Sequence, residues 1–288
     1  MPELPEVETI RRQLRAVLRG RTISSVTVRR PKMVRASSAL LRKSAVGARI
    51  KDVTRRAKLL IIQLSSGWSM LVHLKMTGQL VYRHRSTVRH GGHPISGGLD
   101  NLPNRYSHVI FNLSGGATLY FNDQRQFGFL KLVPTRVLPR YLEHQRYGPE
   151  PLDPAFTLDR FRAMLGQKRS GTIKPLLMDQ RFIAGVGNIY AAEACFRARI
   201  RPTRSIRTLS GSEIATLFRA VRHILRRAVA EQGATANNYV DAYGQPGRYV
   251  PLLRVYGRGG ERCYRCHGTV AVLRQAGRST AYCPRCQR

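Results

Sequence analysis

Four cysteines near the C-terminal end constrain this chain more than any other feature. They fall as Cys263-x2-Cys266 and Cys283-x2-Cys286, with sixteen residues between the pairs. Two such pairs at this spacing match a tetrathiolate metal site. Four thiolates close a tetrahedral shell and leave no position for a reactive water, so the pattern predicts one structural Zn2+ ion. Disulfides are the alternative, and a chain without a secretory leader disfavours them. The residues between the pairs turn around Arg274–Arg278, which predicts a two-stranded hairpin. The fifth cysteine, Cys195, lies in an apolar helical run and is predicted to be inert core.

Charge comes next. Fifty Lys and Arg against sixteen Asp and Glu give a net charge of +34. Such an excess self-repels and favours a polyanionic partner. Nucleic acid is the first candidate, because neutralising phosphates releases counterions. An anionic membrane surface is a lesser alternative. No apolar run reaches the ~18 residues needed to span a bilayer, and the acidic N-terminus is unlike a secretory signal. A cytoplasmic (nucleoid-associated), monomeric protein without a membrane anchor is expected.

The N-terminus, Met1-Pro2-Glu3-Leu4-Pro5-Glu6, crowds restricted and ionisable groups into an end that is usually frayed. Trimming of Met1 would leave Pro2 as a secondary amine. An α-amino group titrates near ~7.7–8.0, so part of it is neutral and nucleophilic at neutral pH. Its attack on an aldehyde-like carbon gives a Schiff base, here a charged iminium and a strong electron sink. Glu3 and Glu6 stand beside it as acids and bases. The alternative is an ordinary helix start, where carboxylates suit the positive end of the macrodipole.

Helix periodicity runs through Val7, Ile10, Leu14, Val17 and Leu18 and stops at Gly20. Strands are predicted at Thr22–Arg30, Leu59–Leu64, Met70–Leu74, Val109–Leu113, Ala117–Phe121 and Phe129–Val133, with glycine-containing hairpin turns at 65–67 and 114–116. A two-layer β-sandwich or a barrel accommodates them. Tyr82–Arg105 reads as a long mobile loop, and the proline-rich Pro134–Pro154 as a linker. Helices follow at Leu158–Leu165, Ile173–Asp179, Asn188–Arg197 and Glu213–Glu231. The glycine turn Ala184–Asn188 makes the middle pair helix-turn-helix-like and offers backbone amides to a phosphate; a plain helix hairpin is the alternative. The expected division is a catalytic domain at 1–133, a linker at 134–154, a helical domain at 155–233, a loop at 234–254 and a zinc finger at 255–288. The fold class is thus α+β and multidomain: an N-terminal helix with a β-sandwich, then a helical domain with a C-terminal zinc hairpin.

Taken together, these segments resemble the formamidopyrimidine-DNA glycosylase family over essentially the whole chain. The resemblance rests on Pro2–Thr9, Arg56-Ala57-Lys58, His73–Gly78, Asn122–Gly128, Gly148–Pro151, Gly185–Tyr190, Val255–Arg258 and the cysteine finger with Gly277–Thr280. It implies a helix–two-turn–helix domain and zinc hairpin behind a catalytic sandwich, with duplex DNA carrying oxidised bases or abasic sites as the partner. It implies a bifunctional glycosylase and AP lyase for oxidised purines such as 8-oxoguanine and formamidopyrimidines. Pro2 would attack the sugar C1′ and drive β,δ-elimination, with Glu3 as general acid/base and Glu6 supporting the site. Lys58 and Arg278 complete the catalytic set by gripping phosphate. Met76, Arg125 and Phe127 would fill the gap left by the everted nucleotide. Asn188, Lys174 and Arg258 would also contact DNA, and the Ala234–Pro251 loop would cover the everted base.

Without the resemblance, Met76 and Phe127 read as core, Arg125 and Arg278 as solvated arginines, and Asn188 as a helix N-cap. Three departures stand out: Gln126 where the family usually has a second arginine, Lys75 where glycine is common, and Arg105-Tyr106-Ser107-His108 in place of a basic His-rich stretch. An endonuclease VIII-like enzyme for oxidised pyrimidines is the alternative within the superfamily. A catalytically silent DNA-binding protein is the alternative from another class.

Overall fold

The computed structural model describes residues 1–85, 87–92, 101–168, 170–234 and 247–288. These divide into two compact units, Met1–Gln145 with Gln232–Arg248, and Arg146–Glu231 with Tyr249–Arg288.

Unit 1 opens with helix α1 (Leu4–Leu18), whose N-cap is Glu3. Beyond its C-cap Arg19, Gly20 adopts φ +87, a conformation that favours glycine. Strand β1 (Ile23–Val28) and a short helix α2 (Ser38–Ala45) follow. Next come β2 (Ile50–Arg56), β3 (Leu59–Leu64), β4 (Trp68–His73), β5 (Gly78–His84) and β6 (Thr87–Gly92). Strands β7 (Ser107–Leu113), β8 (Ala117–Asp123) and β9 (Phe129–Pro134) and helix α3 (Leu138–His144) complete the main run. The strands form two antiparallel sheets, ordered β1-β7-β8-β5-β6 and β2-β3-β4-β9.

The core explains the layering. Leu60, Ile62 and Leu64 of β3 point into one cluster with Val7, Ile10, Leu14 and Leu18 of α1 and with Phe111, Leu119 and Phe121 of the other sheet. Leu59 and Ile61 point the opposite way, into a second cluster with Leu71, Phe129, Val133 and Leu138, flanked by Tyr141 and Leu142. So β3 is apolar on both faces because α3 covers the outer one. The stretch 134–154, expected as a linker, contains the boundary between the two units and is structured before it. Leu138, Tyr141 and Leu142 recur at helical spacing, and Leu138-Pro139 opens α3 with proline in its first turn. Further on, Gly148 donates to the Gln180 carbonyl and Ala184 to that of Pro149, so the Gly148–Pro151 stretch is packed into unit 2.

The mobile loop expected at Tyr82–Arg105 is also corrected in part. Its start pairs as β5 and β6, while residues 86 and 93–100 lie outside the described residues. Gly91 explains the missed strand, because a Cβ there would lie 2.5 Å from Ile10 Cγ1, where α1 packs on β6.

Unit 2 contains α4 (Leu158–Gly166), α5 (Ile173–Met178), α6 (Asn188–Ala198) and α7 (Gly211–Ala230), then β10 (Ala271–Gln275) and β11 (Arg278–Tyr282). Phe156, Phe161, Phe182 and Phe218 meet ring to ring at 5.6–6.0 Å. A capping box between Ser210 and Glu213 starts α7. The hairpin turn Ala276-Gly277 has φ +47 and +73, matching the twist of the strands it joins.

Candidate functional site

The start of α1 is held by one side chain. Glu6 Oε2 accepts from the Glu3 N–H at 2.8 Å, within a reciprocal capping box. Glu6 Oε1 accepts from the Ala234 N–H at 2.8 Å. One carboxylate thus ties the chain start to the first residue of the 234–254 loop, of which residues 235–246 lie outside the described residues. Gly233 (φ +88) leaves no room for a side chain, since a Cβ would lie 2.7 Å from Glu6 Oε1. Pro2, Glu3 and Glu6 are buried, while Met1 is 46% exposed.

Lys58 lies in the tight turn between β2 and β3 and is buried. Preceding it, Ala57 has φ +52 and accepts a 2.8 Å hydrogen bond from Arg55 through its carbonyl. His73, at the end of β4, has its pKa pushed down to about 3 by burial and then by Lys75, Lys58 and Arg35. Neutrality fits its geometry, because Nδ1 accepts from the Lys75 N–H at 3.0 Å. Lys75 itself has φ +51, which gives a physical reason for glycine to be common there.

Two loops of unit 1 are stitched together by Asp123. Its Oδ1 accepts from the Thr77 hydroxyl and, at 3.1 Å, from the Arg125 N–H. Its Oδ2 accepts from the Gly128 N–H at 2.6 Å, and Thr77 Oγ1 accepts from the Arg125 N–H at 2.9 Å. The β4–β5 loop with Met76 and the β8–β9 loop with Arg125 and Phe127 are therefore one assembly. Phe127 is 53% exposed and lies under the Arg125 guanidinium at 4.7 Å, so it is not the core residue that hydrophobicity alone suggests. Gln126 between them has φ +56.

In unit 2, Lys174 is 1% exposed. Its ammonium donates to Asn188 Oδ1 at 2.5 Å and to Thr280 Oγ1 at 2.8 Å. Asn188 Nδ2 donates to the Ser279 carbonyl at 3.1 Å. Asn188 is not the N-cap of α6, as its residue type suggests; Gly187 is, and Asn188 joins the helix to β11. Lys174, expected at DNA, faces inward as part of that joint. Arg258 is likewise committed within the protein. It donates to Glu261 at 2.8 Å and to the carbonyls of Arg254 and Arg262 at 2.9 Å each, and lies 3.8 Å over Tyr264. Arg278 follows the hairpin turn and is exposed.

The four cysteine sulfurs lie within 4.8 Å of one another. Cys266–Cys283 and Cys263–Cys286 are 3.4 and 3.9 Å apart. A tetrahedral shell with Zn–S near 2.3 Å has edges of about 3.8 Å, so the donor set fits zinc. Cys195 is fully buried, and burial pushes its thiol up to about 12, as expected of inert core.

Two positioning residues escaped sequence reasoning. Asp123 ends the apolar β8, and Glu193 interrupts the apolar run Ala191–Phe196. The signal in each case was a carboxylate where periodicity demands burial. Glu193 is 1% exposed and accepts from the backbone N–H groups of Arg254, Val255 and Tyr256 at 2.9–3.1 Å. Burial raises its pKa despite these donors.

Three family models match in order: the formamidopyrimidine-DNA glycosylase N-terminal domain over residues 1–130, the H2TH domain over 147–239 and a zinc finger found in FPG and IleRS over 260–288. A formamidopyrimidine-DNA glycosylase of Pelotomaculum thermopropionicum is 45% identical, across 100% of this chain and 99% of its own length. One from Herpetosiphon aurantiacus is 42% identical, with full coverage of both. Among solved structures, a mutant Lactococcus lactis FPG in complex with a Fapy-dG containing DNA superposes with a TM-score of 0.89 at 32% identity, covering 100% of both chains. The L. lactis Fpg complex with abasic-site DNA gives 0.88 at 32% identity, covering 99% of both.

Proposed function

The chain belongs to the formamidopyrimidine-DNA glycosylase family, and from that membership we propose roles for its individual residues in base excision. It is a DNA repair glycosylase with AP lyase activity, and its four-cysteine finger holds one structural zinc ion. The relatives' DNA complexes support duplex DNA carrying formamidopyrimidines, related oxidised purines or abasic sites as substrate. Such an enzyme works on the chromosome, as a monomer in the cytoplasm.

The observation that carries the assignment of roles is the clamp on the chain start. Glu6 fixes the backbone of residue 3 and the start of the covering loop together, so a buried imino acid at position 2 has a defined place. After loss of Met1, the Pro2 nitrogen attacks C1′ of the everted nucleotide. The C1′–N bond to the base breaks and the base leaves with a proton, which gives an aminal; the C1′–O4′ bond then opens, O4′ takes a proton from Glu3, and an iminium forms. Its electron-sink character then acidifies C2′, and β- and δ-elimination release the 3′ and 5′ phosphates in turn. Glu3 moves protons at the sugar, while Lys58 and Arg278 hold phosphates.

Everting a nucleotide costs a few kcal/mol, and a wedge offsets part of that cost by filling the gap. Phe127 and Met76 serve as the wedge, and Arg125 hydrogen-bonds the orphaned base. Asn188 contacts phosphate from its joint with β11; Lys174 and Arg258 position these groups from inside.

The test is borohydride trapping on an abasic duplex, followed by protease digestion and mass spectrometry. An adduct on Pro2 is expected, and Pro2→Gly should lose it while keeping duplex affinity. An active enzyme that retains Met1 would end this reading. Excision of 8-oxoguanine should exceed that of thymine glycol from matched duplexes.

A further inference from the structure

Unit 2 contains a cavity of about 380 Å3 that none of the proposed DNA-contacting residues lines. Its walls come from the C-terminal half of α6, the last turns of α7 and the stretch from Tyr249 to Arg265. Arg197, on its rim, lies roughly 13 Å along α6 from Asn188 at the rise of an α-helix. The cavity and the Lys174–Asn188–Thr280 joint are therefore at opposite ends of that helix.

The lining is chemically one-sided. Arg197, Arg227, Arg254 and Arg265 converge on it, and Glu193 is its one acid. Both Glu193 oxygens are taken by backbone N–H groups, so that carboxylate has already been answered. The guanidinium groups of Arg197 and Arg227 have no hydrogen bond or ion pair among the described residues. By contrast, Arg254 and Arg265 are held in place by ring faces, 4.7 Å over Tyr264 and 4.5 Å over Phe196. Arg265 also donates to the Phe196 carbonyl at 3.3 Å.

Helix dipoles account for one cation at each of the two helix ends, Arg197 in the last turn of α6 and Arg227 in that of α7. They do not account for two further arginines arriving from the finger side. His223 reports the resulting field: burial and then Arg197 and Arg227 lower its pKa. Ile224, Leu252 and the buried Tyr249 supply an apolar floor to the same lining. An apolar floor beside four guanidinium groups, at this volume, suits a small molecule with an anionic end. Guanidinium forks match phosphoryl oxygens in pairs.

We propose that this cavity binds a small phosphorylated nucleoside, with Arg197 and Arg227 on the phosphoryl oxygens and the base over the apolar floor. Phosphoryl chemistry alone is shared with inorganic phosphates, so the probes are ADP and inorganic pyrophosphate, titrated calorimetrically into the zinc-loaded full chain. One-to-one binding of ADP is expected, with pyrophosphate at least about tenfold weaker because it cannot use the floor. Equal affinity for the two would overturn the nucleoside assignment.

The double variant Arg197→Ser/Arg227→Ser removes two exposed side chains and leaves the core alone. It should weaken ADP by at least about tenfold, as expected for lost charge-assisted pairs, with zinc content and abasic-duplex affinity unchanged. Arg227→Lys, which keeps the charge but not the fork, should fall between. Absence of ADP binding at millimolar concentration, or full ADP affinity in the double variant, would remove the site. A parallel loss of duplex affinity would assign these arginines to the DNA path and overturn the proposal.

Discussion

In unit 1, the loops that carry Met76, Arg125 and Phe127 hang from a sandwich whose core runs through α1 and both sheets. In the zinc hairpin, two of the seven buried residues that make up its core, Cys263 and Cys283, are themselves metal-binding cysteines. The first region holds its working side chains with hydrocarbon and with buried carboxylates. The second has too little hydrocarbon to do so, and the metal replaces what is missing. The difference teaches where each region is vulnerable: one to lost packing and acceptors, the other to lost ligands.

The largest expected effect breaks the hairpin alone. Chelation, or Cys283→Ser, should unfold residues around β10 and β11, because structural metal binding is coupled to folding. Duplex affinity should drop by roughly tenfold or more as the phosphate contact proposed for Arg278 is lost. Hydrogen exchange would then show deprotected amides in the hairpin and unchanged protection in the β3 and β8 amides. Equal loss in both would erase the distinction drawn above.

The next effect probes the carboxylate scaffold of unit 1. Asp123→Asn presents an amide N–H2 to backbone or hydroxyl donors that now meet an oxygen. Leaving such buried donors unsatisfied costs about 1–3 kcal/mol. The proposed wedge should loosen, slowing excision from duplex DNA more than Schiff-base trapping on a single-stranded abasic oligonucleotide, which needs no wedge. Glu6→Gln likewise turns an amide N–H2 toward one of the backbone donors, the Glu3 or the Ala234 N–H, that now meet a carboxylate oxygen. Its effect on trapping should appear on single and double strands alike, since it acts at the chain start.

Those residues also show what was legible in advance. The cysteine spacing, the α1 stripe and the apolar strands β3, β4, β7, β8 and β9 state their periods openly, and each formed close to where periodicity places it. β2 was missed because a bulge between Ile50 and Asp52 breaks the alternation and its second half is basic. β6 was missed because its glycines serve close packing, Gly91 on α1 and Gly92 on the β5 backbone, rather than a turn. Helix α3 was hidden by prolines. At the site, residue types were readable from the motif resemblance, but the buried Lys174 and the internally paired Arg258 were not. Whether a cation meets solvent depends on partners far away in sequence, such as Thr280 for Lys174.

The smallest effect separates the regions by acid. His73 has a folded pKa of about 3 against an unfolded value near 6.5. Between those values the unfolded chain holds the extra proton, so unit 1 loses stability as pH falls. Glu8, paired with Arg11, Arg12 and Arg55, is lowered to about 2 and acts in the same direction from 4.5 downward. Glu193 in unit 2 is displaced upward by burial, so proton uptake there begins on the folded state and opposes the trend. Denaturant unfolding at pH 7.5 and 5.5 should therefore show unit 1 weakened by about 1 kcal/mol from His73 alone. His73→Gln, whose carbonyl can still accept from the Lys75 N–H, should flatten that interval while leaving the Glu8 slope below pH 4.5. An unchanged slope in the variant would mean that the acid sensitivity of unit 1 lies elsewhere than in the turn that carries Met76.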